Sequence, residues 1–68
     1  KHYIGKTIQE VCELGKLESV EWVFVPKDED EYDKDTMQVK RTTNPVYRNA
    51  YLILENKKVT GWSWKGWE

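Results

Sequence analysis

Sixty-eight residues hold this chain to a single domain, spanning 1–68 and close to the size below which disulfides or a metal are usually needed for folding. An apolar content of 38 per cent, with four tryptophans, four tyrosines and one phenylalanine, sets it apart from disordered chains, although 34 per cent of its residues are charged. The net charge of −1 gives no reason to expect nucleic acid or an anionic membrane as partner, and the lone cysteine, Cys12, excludes an intrachain disulfide and a cysteine-based zinc site.

No apolar run approaches the ~20 residues of a membrane span. The first residue is Lys1 rather than methionine, which reads as a trimmed piece or a processed product of a longer precursor.

Lys1 to Lys6 is a short lead-in that includes the only histidine, His2. Thr7-Ile8-Gln9-Glu10 then has the form of a capping box. The Thr7 hydroxyl can accept from the Glu10 amide while the Glu10 carboxylate reaches back to the Thr7 amide. Ile8, Val11 and Cys12 follow at helical spacing, and Gly15 suits the residue just past a helix end. The spacing predicts a helix over 8–14, too short to persist without packing.

Val20 to Val25, VEWVFV, predicts a strand stopped by Pro26, with Val20, Trp22 and Phe24 on one face and Val23 and Val25 on the other. Lys27 to Asp35 reads as a solvated acidic loop holding half of the chain's twelve carboxylates. Met37 to Thr43 alternates loosely and suits an edge strand, with Lys40 and Arg41 exposed along it. Asn44-Pro45 marks a turn.

Tyr47 to Trp64 reads as a long hairpin turning at Asn56-Lys57, because Asn tolerates the left-handed conformation of a two-residue primed turn. In uninterrupted register Leu52 faces Gly61 and Tyr51 faces Trp62. Ala50, Leu52, Leu54, Val59, Gly61 and Ser63 then share one face, and Tyr47, Tyr51, Ile53, Trp62 and Trp64 the other. The small Gly61 and Ser63 favour close approach of the helix to the aliphatic face. The predicted architecture is α+β: one short N-terminal helix on a three- or four-stranded antiparallel sheet that ends in a long hairpin.

Catalytic chemistry finds no foothold in this pattern. A nucleophile needs a neighbouring base, yet His2 sits at the terminus and Cys12 on the apolar face of the helix. Gly5-Lys6-Thr7 lacks the strand and first glycine of a phosphate loop. Asp28, Asp30, Asp33 and Asp35 invite a calcium reading, but their spacing is not that of an EF-hand and no glycine stands among them. The chain is therefore read as a non-enzyme without cofactor or metal.

A sheet apolar on both faces with one short helix as cover leaves an aromatic surface, unless the helix takes those aromatics as core or the acidic loop folds over them through Tyr32, and such patches mark contact sites. The candidate partner-binding residues are Tyr47, Tyr51, Trp62 and Trp64, with Asp30 and Glu31 of the acidic loop as a second element. Another protein or a second copy of the chain is the implied partner.

Two resemblances bear on this reading. Ile4-Gly5-Lys6-Thr7-Ile8-Gln9-Glu10-Val11, then Leu14-Gly15-Lys16, Trp22-Val23-Phe24 and Leu54-Glu55-Asn56-Lys57-Lys58-Val59, together resemble the small outer-membrane lipoproteins of the bacterial barrel-assembly machinery. Those proteins share a fold with the β-lactamase-inhibitor protein repeat, and the resemblance implies a binding module without catalysis. Ile4-Gly5-Lys6-Thr7 and Val23-Phe24-Val25-Pro26 are also similar to potato-type serine protease inhibitors. That likeness implies protease inhibition through a reactive loop within residues 27–46, which is the alternative functional reading.

Overall fold

The computed structural model describes residues 3–29 and 31–64, the side chain of Trp64 excepted. One helix, α1 (Ile8–Leu17), lies on a sheet of four antiparallel strands: β1 (Val20–Val25), β2 (Asp35–Thr42), β3 (Ala50–Glu55) and β4 (Lys58–Trp64). The strands follow one another across the sheet in chain order, β1-β2-β3-β4. The α+β class read from the sequence is the class observed.

The capping box forms as its residues predict. The Glu10 amide donates to Thr7 Oγ1 at 3.3 Å, and the Thr7 amide donates to Glu10 Oε1 at 3.0 Å. The helix does not stop at Gly15, however, and runs to Leu17. Gly15 is instead buried against β1, where a Cβ would lie 2.6 Å from both Trp22 Cδ1 and the Val20 carbonyl oxygen. The glycine permits contact rather than termination. Ser19 takes the left-handed conformation expected at Gly15, with φ of 62°. The end of the helix is tied from outside: the Thr42 hydroxyl and Thr43 amide donate to the Ser19 carbonyl, and Asn44 Nδ2 donates to that of Glu18.

The β2 segment is not simply an edge. Asp35 to Gln38 pair with β3 while β2 pairs with β1 along its length, so half of the strand is interior. The remainder, Val39 to Thr42, has β1 on one side only, and Lys40 and Arg41 are exposed there.

The Asn56-Lys57 turn forms at the predicted residues, both with positive φ, 55° and 64°. The register beyond it differs from the uninterrupted one. A bulge at Thr60 shifts β4 by one residue, so Leu52 faces Trp62, Ile53 faces Gly61 and Tyr51 faces Ser63. Because alternation has period two, this slip exchanges the faces of every β4 residue beyond it.

The helix covers the face bearing Val20, Trp22, Met37, Ala50, Leu52, Leu54 and Val59, all buried together with Val11 and Tyr3. Burying each such side chain is worth roughly 1.5–3 kcal/mol, and this layer is where the domain derives its stability. Trp62 packs against the core from its post-bulge position. The N-terminal segment closes the outer side of β4: the Gly5 amide donates to the Val59 carbonyl at 2.7 Å, and the Val59 amide to that of Lys6 at 3.0 Å.

Candidate protein-binding face

Two cross-sheet rows make up the face turned away from the helix. One runs Val23, Gln38, Tyr51, Ser63, and the other Val25, Thr36, Ile53, Gly61. The centre of this face is polar: Gln38 Nε2 donates to Thr36 Oγ1 at 3.1 Å, and Thr36 is fully buried. Apolar groups flank that pair, Val23 and Val25 on the β1 side and Tyr51 and Ile53 on the β3 side. Val23 is 41 per cent exposed. Tyr51, Ile53 and Val25 are half-buried.

The acidic loop reaches onto this face. Tyr32 lies over Tyr51 with ring centroids 4.7 Å apart and an interplanar angle of 32°. The start of the loop is fixed by Asp35, whose Oδ1 accepts from the Lys27 amide at 3.0 Å. Asp28, Glu29, Glu31 and Asp33 are exposed along it. Among the described residues no three histidine, cysteine or carboxylate side chains gather as metal ligands would.

The sequence-derived contact residues separate. Tyr51 lies on the open face as predicted, and Glu31 is exposed in the loop, next in sequence to the Tyr32 that stacks on Tyr51. Two placements are corrected. Trp62 belongs to the helix side because of the Thr60 bulge, and Tyr47 packs on the core as part of an aromatic cluster. Gly61 and Ser63, expected beneath the helix, lie on the open face for the same reason. Asp30, His2, the Trp64 side chain and the C-terminal Lys65 to Glu68 lie outside the described residues.

The cluster that takes Tyr47 is built around one carboxylate. Glu18, the residue at the end of α1, accepts from the Tyr3 hydroxyl at 2.7 Å and from the Tyr47 hydroxyl at 2.6 Å, both through Oε1. Trp22 Nε1 donates to the Tyr3 oxygen at 3.3 Å. The rings of Tyr3, Trp22 and Tyr47 meet edge to face with centroids 5.4 to 6.3 Å apart. They fill the space between them, and Tyr3 and Trp22 are buried, so the cluster is a lock and not a ligand cage. Burial, followed by the hydrogen bond to Glu18, pushes the Tyr47 hydroxyl up to about 12 and raises that of Tyr3 as well. The hydrogen bond between Tyr3 and Glu18 was not legible, since fifteen positions separate them.

Residues 27–46, the reactive segment of the inhibitor reading, consist of a 3₁₀ turn (Lys27–Glu29), bends at 31–34, strand β2, and the start of a second 3₁₀ turn (Pro45–Tyr47). Comparison of the chain with protein-family models, with curated proteins and with solved structures found no match.

Proposed function

We infer that this chain is a small, non-catalytic protein-binding module acting through the open face of its sheet, with the acidic loop at one side. The observation that carries this reading is the apolar flank of the face away from the helix, where Val23 is exposed, Val25 and Ile53 are half-buried, and Tyr51 stacks with Tyr32 of the acidic loop. A partly exposed apolar flank beside the half-buried Gln38 amide supplies contact area and one orienting polar group to a partner. Carboxylates at 28, 29, 31 and 33 add a preference for a partner with basic groups beside its apolar patch.

The test is capture of a partner from an extract of the source with wild-type chain and with Tyr51→Lys. Loss of capture, with a melting temperature lowered only by the few degrees that one aromatic pair of about 1 kcal/mol is worth, supports the reading. Equal capture by both chains overturns it.

A further inference from the structure

We propose that a second copy of this chain pairs antiparallel along the outer edge of β1, continuing the sheet across a twofold axis. The two outer strands are treated differently by the fold. The edge of β4 is capped where Gly5 and Lys6 bond to Val59, and it is bent by the Thr60 bulge. Among the described residues no backbone hydrogen bond leaves Val20–Val25 on the side away from β2. From Trp22 to Val25 the strand has no charge and no proline, the usual devices that blunt an edge. Unpaired amides and carbonyls in a row are satisfied best by another extended strand.

The strand's own sequence makes a second copy the fitting occupant. A twofold axis normal to the sheet keeps each face on its own side, so residues of like parity meet. With Phe24 on the axis, apolar side chains meet on both faces: Val23 faces the second copy's Val25 on the open face, and Phe24 faces the second copy's Phe24 on the other. The charges are arranged head to tail as well. Lys40 and Arg41 cluster about Glu21 at the start of β1, at 3.9 and 3.3 Å, with side chains 63 and 78 per cent exposed. Exposed Lys27, Asp28 and Glu29 follow its end. Antiparallel pairing sets start against end, which brings Glu21 to the second copy's Lys27, and the two basic side chains to its Asp28 and Glu29. A parallel arrangement would set like charges together.

An interface one strand long falls below the ~1,200 Å2 of stable complexes, so sedimentation is followed from about 10 µM to about 1 mM. The expected result is a monomer–dimer equilibrium that weakens as salt is raised, accompanied by slower amide exchange at Val23–Val25 as concentration increases. Val23→Lys should weaken dimerisation at least tenfold. The Lys40→Gln/Arg41→Gln double variant, altered only at exposed side chains, should weaken it severalfold and remove most of the salt dependence. A chain that stays monomeric throughout, or one that captures a foreign extended peptide but never itself, overturns the proposal. So does an association that protects amides elsewhere, or that Tyr51→Lys abolishes while Val23→Lys leaves it intact.

Discussion

Gly15 and Trp22 occupy adjoining space with no room for a methyl group between them: a Cβ on the glycine would sit 2.6 Å from Trp22 Cδ1 and from the backbone oxygen of Val20. Gly15→Ala therefore sets two effects against each other. Helix propensity favours alanine by about 1 kcal/mol, while overpacking against a backbone atom costs about 1–3 kcal/mol. The clash should win, with a net loss of about 1 kcal/mol and a melting temperature lower by roughly 4–8 °C. A variant as stable as the parent in urea titration would show that α1 shifts freely over β1.

Glu18 is the shared acceptor for two tyrosines, and the kind of substitution matters. Glu18→Ala removes that acceptor beside two partly buried hydroxyls and should cost about 1–3 kcal/mol in chemical denaturation. Glu18→Gln keeps a carbonyl oxygen where both hydroxyls point and should cost less than half as much. Equal losses would mean that charge, rather than acceptance, is what the two hydroxyls use.

Stability should decline at alkaline pH because of the same cluster. The Tyr47 hydroxyl, ordinarily ionising near 10, is held at about 12 in the folded chain, and Tyr3 is raised too. Above pH 10 the unfolded chain releases these protons while the folded chain retains them, so the unfolded state binds fewer protons and stability falls with rising pH. The contribution is complete below pH 10 and is lost on the way to about 12. The measurement is a comparison: urea midpoints of Tyr47→Phe should fall less steeply above pH 10 than those of the parent.

Lys57 holds a positive φ of 64° that costs a side-chain-bearing residue. Lys57→Gly removes this strain, worth about 1–2 kcal/mol, and adds chain entropy to the unfolded state. The expected net gain is about 0.5–1 kcal/mol, read as a higher denaturant midpoint at unchanged slope. No gain would indicate that the turn relaxes around lysine without cost.

Local signals survived the passage from sequence to structure, and those that depend on a distant neighbour did not. Thr7 and Glu10 make their capping box three residues apart, Asn56-Lys57 turns where it was predicted, and Val20–Val25 splits between two faces as its alternation requires. Gly15 misled because its reason for being glycine is Trp22, which comes from another element. The Thr60 bulge has no mark in the sequence, and that single residue decides whether Trp62 faces the core or the open side. For the open face, the sharing of one side by Val23 and Val25, and by Tyr51 and Ile53, was legible within each strand, but their union across the sheet was not. Its polar centre was not legible either, because Thr36 and Gln38 meet Ile53 and Tyr51 only through the position of β2 inside the sheet.

The succession of strands in chain order also governs the order in which the domain can assemble and come apart. Each strand finds its neighbour across one short connection, so three pairings need only small loops to close, and chains with mainly local pairing fold quickly. The lap of Gly5 and Lys6 onto Val59 is different, because it joins residues from nearly opposite ends of the chain. Its long sequence separation means that it should close late, and opening it must also draw Tyr3 from its contacts with Trp22 and Glu18. Amide exchange through this opening should be faster at Val59 than at Leu52 in the middle of β3, and Trp22 emission should report the same event.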